Sequence, residues 1–282
     1  MTSEIAADLH MHTVGSDGTD TLDDRIEQAR ERDLEAIAIT DHDRVLDELG
    51  AGSQRMSGIE VVTGVEIRAD IFETKVELLG YFIDPTDAAL DSVLDRARTY
   101  RRERNRRLVS ELNDVTDLEL SYEALQSDVR GGMGRPHLAE ILLEEEYVDG
   151  IGEAFSEYLA EDGRCYVPME RIPCGEVVDA IHAAGGVASL AHPGRIRSDR
   201  IPEIVQAAVR NGVDAIETWY PYDADVEFGI EDADRLTADH DLLQTGGSDC
   251  HGRESGKFRI GTVGVSAETV EALRSASAER SE

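Results

Sequence analysis

Ala36-Ile37-Ala38-Ile39-Thr40-Asp41-His42-Asp43 is the stretch on which the reading of the fold turns. Four apolar residues run without interruption into four polar ones. An unbroken apolar run of this length is what a strand covered on both faces requires, as in a parallel sheet flanked by helices. Such a strand is too apolar to end in Thr, Asp, His and Asp without a reason. The same juxtaposition recurs along the chain. Residues 5–9 lead into Asp8-Leu9-His10-Met11-His12, residues 60–65 into Gly64-Val65-Glu66, residues 187–191 into His192-Pro193, and residues 242–246 into Ser248-Asp249-Cys250-His251. Imidazole and carboxylate are ligands that Zn, Mn and Fe accept. Their arrival after successive strands implies a catalytic cluster of metals.

Outward from these strands the pattern alternates. Helical periodicity is expected over residues 21–33, with Thr21 as N-cap and Asp23 and Asp24 at the positive end of the dipole. Further helices are expected at 44–50, 175–184, 201–211, 230–239 and 269–278. Strands are expected at 76–82, 215–218 and 260–265 as well as those above. Seven or eight strands alternating with helices imply a parallel sheet with crossover connections. The fold class is α/β, a TIM-like barrel whose chemistry sits at the C-terminal ends of its strands. Residues 85–158 break the rhythm: helices are expected at 88–112, 136–146 and 151–159, and no strand. The domain reading is a barrel from 1–84 and 166–282, with 85–165 as a helical insertion.

Composition narrows the class. The 282 residues suffice for a core without disulfides. Cys165, Cys174 and Cys250 show no CxxC spacing, which suits reduced thiols in the cytoplasm. No apolar run approaches the roughly 20 residues of a membrane span, and the N-terminus does not resemble a signal peptide. The 60 acidic residues outnumber 28 basic ones for a formal charge of −32, and only Lys75 and Lys257 are lysines. The acid is spread over every expected helix, so it reads as halophilic adaptation to high intracellular salt rather than a docking face for a basic partner.

Each ligand candidate also has an ordinary explanation. His10 and His12 alternate on one extended segment and so point the same way, yet a lone His-x-His occurs on ordinary exposed strands. Asp8 is positioned to orient an imidazole. Asp17, in Gly15-Ser16-Asp17-Gly18-Thr19, has the look of a turn residue. Glu66 is a carboxylate and can bridge two cations, which imidazole does not normally do. Asp249 and His251, one residue apart, can share a side. Any one of these could be a buried, hydrogen-bonded side chain; all of them following strands argues for ligation. His182 and His240 read as structural. His137 opens a helix, where anions are welcome. Arg135 and Arg195 suit phosphate oxygens, with surface ion pairs as the bland alternative. The run Arg101-Arg102-Glu103-Arg104-Asn105-Arg106-Arg107 reads as an ion-paired helix face before it reads as an RNA platform, and base stacking would want more aromatics than the 5% present.

Taken together, His10-x-His12, Ser16-Asp17-Gly18, Thr40-Asp41-His42, Gly64-Val65-Glu66, Ala191-His192-Pro193 and Ser248-Asp249-x-His251 resemble the PHP family, the polymerase and histidinol phosphatase domains. Gly134-Arg135-Pro136-His137 and Tyr166-Val167-Pro168 resemble the branch of nucleoside 3′,5′-bisphosphate phosphatases and a 5′-to-3′ exoribonuclease. The resemblance implies a distorted (β/α)7 barrel and two or three divalent ions, Mn first, with Zn or Fe as alternatives. It implies His10, His12, Glu66 and Asp249 around one ion, Asp17, His42 and His251 around a second, and Glu66 with His192 around a third. One position departs: where relatives carry a histidine ligand, this chain reads Val76-Glu77-Leu78-Leu79-Gly80, making Glu77 the candidate. The implied activity is hydrolysis of a phosphate monoester of a small nucleotide, with Glu66, Asp249 and His251 at the reacting centre and Arg135, His137 and Arg195 on the phosphate. Trimming of short RNA, histidinol-phosphate hydrolysis and a non-catalytic module are the alternatives; the last is disfavoured because nearly every ligand position is filled.

Overall fold

The computed structural model describes residues 5–128, 133–223 and 226–280. The chain divides into two compact units, Met1–Ala97 with Arg171–Glu282, and Arg98–Glu170. In chain order the elements are β1 (Ala7–Asp8), α1 (Leu22–Glu31), β2 (Ala36–Ile39), β3 (Ser53–Met56), β4 (Ile59–Ile71), β5 (Thr74–Tyr81), α2 (Ala88–Val115), α3 (Tyr122–Asp128), α4 (Arg135–Glu144) and α5 (Ile151–Ala154). They continue with β6 (Ile172–Pro173), α6 (Cys174–Ala183), β7 (Val187–Leu190), α7 (Ile201–Arg210), β8 (Ala215–Trp219), α8 (Ile230–Asp239), β9 (Leu243–Gly246) and α9 (Ala267–Arg280). No helix among the described residues is long and apolar enough to cross a membrane.

The larger unit is a distorted α/β barrel. Its strands run in the order β1-β2-β4-β5-β7-β8-β9, with β3 and β6 paired to β4 off that path. The two ends of the path meet through a Met11–Cys250 bridge and the Leu9 N–H bond to Gly246 O at 3.1 Å. Strand β2 shows why an unbroken apolar run is needed. Ala36 and Ala38 join one buried cluster with Leu79, Tyr81 and Val270, while Ile37 and Ile39 join another with Leu22, Ile26 and Ala29 of α1. Both faces are dry, and period-two alternation sorts the side chains between them. Helix α1 starts where expected: Asp24 N–H donates to Thr21 Oγ1 at 3.2 Å, and Thr21 N–H to Asp24 Oδ2 at 2.8 Å. Such a cap contributes about 1 kcal/mol.

Three expectations are corrected. The sheet is not wholly parallel: β4 pairs with β5, and β5 with β7, antiparallel. Between β4 and β5 there is no room for a crossover helix. Phe72 (φ 54°) and Glu73 (φ 61°) form a two-residue hairpin loop whose left-handed backbone matches the strand twist. Residues 44–50 form turns rather than a helix, following Asp43 in the left-handed region (φ 56°). Residues 260–265 are turns, with only Val265 bridging Ala7; Gly261 (φ 71°) bends the segment so that its N–H reaches Asp8 Oδ2 at 2.9 Å.

The smaller unit is helical, with a core of its own that includes Leu108, Leu112, Leu138, Leu142, Leu159 and Val167. Helix α2 begins at Ala88 and contributes residues to both units. The arginine run lies on it. Arg104 is buried and donates to Val167 O at 3.4 Å, and Arg106 pairs with Glu123 at 3.2 Å.

Candidate metal centre

The ligand candidates come from strand ends, from the loops that follow them and, for Glu66, from the middle of β4. His10 and His12 flank Met11, which packs on the α1 side, so the two imidazoles share the opposite face; both are fully buried. Buried Arg25 of α1 donates Nε and Nη2 to His12 O at 3.0 and 2.6 Å and Nη2 to Cys250 O at 3.1 Å. One guanidinium therefore ties the two ligand-bearing segments together through their backbones. Two glycines allow the close approach. A Cβ on Gly64 would lie 2.8 Å from Gly80 O and 3.1 Å from Ile39 O, and one on Gly247 only 2.3 Å from His10 N. His192 (φ 26°) and Asp249 (φ 52°) hold left-handed backbone conformations. That strain persists because surrounding bonds fix them, as when His192 N–H donates to Glu217 Oε2 at 2.8 Å.

The side chains make a first cage. His10 Nε2 and His12 Nε2 face each other at 3.3 Å. Glu66 Oε2 lies 3.7 and 3.4 Å from them, and Asp249 Oδ1 3.7 and 3.3 Å. Donors tetrahedrally placed around an ion of the zinc class are separated by roughly 3.3–3.6 Å. Three of the five separations fall within that range, and the two from His10 Nε2 to the carboxylates, at 3.7 Å, lie just beyond it. Two imidazole nitrogens this close can share only one proton, whereas a cation between them serves both.

A second group stands beside it. Asp17 Oδ1 lies 3.5 Å from His251 Nε2 and 3.7 Å from His12 Nδ1, and Asp17 Oδ2 lies 3.7 Å from His42 Nε2. His12 Nδ1 is buried and makes no hydrogen bond among the described residues, so this group has four members, one more than the expected Asp17, His42 and His251. Glu66 is central to everything: its Oε2 is 3.0 Å from His42 Nδ1 and its Oε1 is 3.1 Å from His192 Nε2. Glu77 Oε2 lies 3.7 Å from His192 Nε2.

Charge is arranged to match. Burial opposes ionisation of Glu66, but the imidazoles of His42 and His10 outweigh it and hold the carboxyl well below its usual range. Half-buried Asp17 and buried Asp249 are likewise held down, chiefly by His42 and His251 respectively. His12 falls to about 4, from burial first and the neighbouring His251 second. A neutral imidazole and ionised carboxylates are the protonation states in which these groups bind metal.

Several of the residues that position the cage escape a reading of the sequence. Glu217, in the middle of β8 and fully buried, bonds His10 Nδ1 at 2.8 Å through Oε1. That fixes the tautomer and turns Nε2 toward the cage. Tyr220 donates its hydroxyl to Asp249 Oδ2 at 2.8 Å, and burial followed by the Asp249 charge raises its pKa and keeps it a donor. The only signal for Glu217 is a carboxylate inside an otherwise apolar strand. Asp8 does not orient an imidazole as expected. Its carboxylate accepts from Ser248, His10 and Gly261 backbone N–H groups at 2.9, 3.4 and 2.9 Å, pinning the loops instead. Arg195 donates Nη1 to Tyr220 Oη at 2.9 Å. His182 bonds Asp214 at 2.8 Å. In the helical unit, His137 Nδ1 accepts from Gly134 N–H at 3.1 Å, closing the first turn of α4, and Arg135 donates to Leu159 O at 3.3 Å.

This geometry agrees with comparisons to known proteins. The PHP domain model matches residues 8–162, more than half of the chain. The phosphoribosyl 1,2-cyclic phosphate 1,2-diphosphodiesterase of Eggerthella lenta is 32% identical, over 87% of this chain and 94% of its own. The 3′,5′-nucleoside bisphosphate phosphatase of Chromobacterium violaceum is 31% identical, over 90% of each chain. The 5′-3′ exoribonuclease Rnm of Escherichia coli is 30% identical, over 86% of this chain and 84% of its own. A solved Bifidobacterium adolescentis chain, provisionally assigned as a metal-dependent phosphoesterase, superposes with a TM-score of 0.79 at 29% identity over 96% of each chain. The chain belongs to the PHP domain family. The reaction class of this chain is hydrolysis of a phosphoester bond, and its site is built for divalent metal.

Proposed function

We propose that this protein removes a phosphate from a small nucleotide, a nucleoside 3′,5′-bisphosphate being the preferred substrate. The observation that carries the reading is the cage of His10, His12, Glu66 and Asp249 standing beside the Asp17, His42 and His251 group, with Glu66 Oε2 3.0 Å from His42 Nδ1. Adjacent divalent ions supply a water acidic enough to attack phosphorus near neutral pH and a counter-charge for the phosphoryl oxygens. Mn is the first candidate for this mixed imidazole and carboxylate set, with Zn or Fe as alternatives.

The chain's own groups do the rest. Glu66, Asp249 and His251 shape the reacting centre, Glu217 keeps His10 in one tautomer, and Tyr220 holds the rotamer of Asp249. Arg195, joined to that tyrosine, presents a guanidinium beside Asp249 for a phosphate oxygen. The expected result is Mn-dependent release of phosphate from a nucleoside 3′,5′-bisphosphate, lost in His12→Ala and in Asp249→Ala. Unchanged turnover in either variant would overturn the reading. A second reading, trimming of short 5′-phosphorylated RNA, is favoured by the Escherichia coli relative. A panel that also includes such an oligonucleotide and a cyclic phosphodiester separates the three by kcat/KM.

The acidic surface belongs to the same proposal, with a salt-rich cytoplasm as the working environment. With a formal charge of −32, self-repulsion is expected to lower Tm in dilute buffer. Screening by molar KCl shortens its range to roughly 3 Å. Melting curves from zero to 3 M KCl, as an order-of-magnitude span of screening, are expected to show Tm rising steadily. A Tm already maximal near zero salt would refute the halophilic reading.

A further inference from the structure

Glu77 differs from every other ligand candidate in the company it keeps. It faces Arg68 directly across the β4–β5 pair, and Lys75 stands two residues earlier on the same face of β5. Arg68 Nη2 and Nε donate to Glu77 Oε1 at 3.1 and 3.3 Å, and Lys75 Nζ lies 2.9 Å from Oε2. The carboxylate is buried, at 7% exposure, and Arg68 is largely covered, whereas the Lys75 stem reaches it from a side chain 42% exposed. Lys75 is one of only two lysines in the chain.

Resting on the metal-centre reading above, we propose that Arg68 and Lys75 supply, from the protein itself, the positive charge that a third ion would bring beside Glu66 and His192. The chain then loads two ions. Glu77 Oε2, the oxygen turned toward His192 Nε2 at 3.7 Å, is the same oxygen that Lys75 engages. An ion bonded to it would lie within about 5 Å of the ammonium, since metal–oxygen bonds are near 2 Å. Glu66 and Glu77 bring two negative charges to this side, and Arg68 and Lys75 bring two positive ones. The balance is closed before any ion arrives. By contrast, the oxygens of the first two groups, Glu66 Oε2, Asp249 Oδ1 and the Asp17 pair, face imidazoles that become neutral donors. Glu217 does not complete a site with His192 either, because its two oxygens already serve His10 Nδ1 and the His192 N–H.

The test is a metal count on the full chain, loaded with Mn²⁺, freed of excess and measured by mass spectrometry, with a melting curve for each variant. Two ions per chain are expected in the native protein and in Glu77→Gln, where the isosteric amide keeps the fold. Three are expected in the double variant Arg68→Gln/Lys75→Gln, which leaves Glu77 without its counter-charges. Three ions in the native protein, or the loss of one in Glu77→Gln, would overturn the proposal. A double variant that stays at two would overturn exclusion by charge. Fewer than two in the native protein would sink both this inference and the metal-centre reading, which separates the two failures.

Discussion

Glu66→Gln is expected to empty the centre and cut phosphoester hydrolysis by roughly two to four orders of magnitude. The reason is position. One carboxylate touches four imidazoles: Oε2 lies 3.7 Å from His10 Nε2, 3.4 Å from His12 Nε2 and 3.0 Å from His42 Nδ1, and Oε1 lies 3.1 Å from His192 Nε2. An amide keeps the volume but removes the charge and turns one oxygen into a donor, which repels any cation it faces. The first cage loses a ligand, and the neighbouring group loses the charge that faces His42 Nδ1. Loss of a group that merely supports a ligand costs about 10–100-fold in affinity or activity. Removing a ligand from the cage together with the charge facing its neighbour compounds two such losses, roughly 10²–10⁴. Metal content by mass spectrometry and kcat under saturating Mn are the measurements. A Glu66→Gln protein that keeps its ions and more than a tenth of its activity would falsify the bridging role. Destabilisation is expected too, because His10, His12 and His192 would remain buried around a neutral amide.

Most of the ligands were legible in the sequence because a strand covered on both faces reads as an uninterrupted apolar run; Glu66, expected after a strand at 60–65, instead lies inside β4, which runs on to Ile71. Whatever polar residue comes directly after it stands out, as His42 does after Ala36–Ile39 and His192 after Val187–Leu190. The supports were not legible. Glu217 lies within β8 and Tyr220 just after it, and Arg25 lies on α1; their significance depends on what packs against them, 207 residues away in the case of His10 and Glu217. Sequence position carries no trace of such a pairing. Sheet polarity was hidden for a different reason. A buried antiparallel pair and a buried parallel pair have the same composition, and only the two-residue loop at Phe72-Glu73 betrays the hairpin. Asp8 shows the opposite failure: its adjacency to His10 suggested a ring contact, whereas its oxygens are taken by the backbone N–H groups of residues 10, 248 and 261.

Glu217→Gln carries the second large effect, and it separates support from ligation. Glu217 Oε1 bonds His10 Nδ1 at 2.8 Å and Oε2 accepts the His192 N–H at 2.8 Å, so one buried carboxylate fixes a ring and a strained backbone. Burial opposes charge on His10, but the Glu217 and Glu66 carboxylates beside it raise its pKa well above the usual imidazole value. A ring that electron-rich is a stronger donor at Nε2 once the Nδ1 proton is held by Glu217. The amide can still accept that proton through its oxygen, which preserves the tautomer, but its NH2 then faces the His192 N–H, so that bond is lost together with the charge. The expected outcome is a 10–100-fold weaker hold on metal, with activity recovered as Mn is raised. Glu217→Ala removes the acceptor as well, frees the ring to rotate and leaves the His192 N–H buried without its partner. Activity in that variant is therefore expected to stay depressed at saturating Mn. A kcat titration against free Mn distinguishes the two substitutions. If Glu217→Ala were rescued as fully as Glu217→Gln, the carboxylate would be acting through charge alone, and its role in aiming His10 would have to be abandoned.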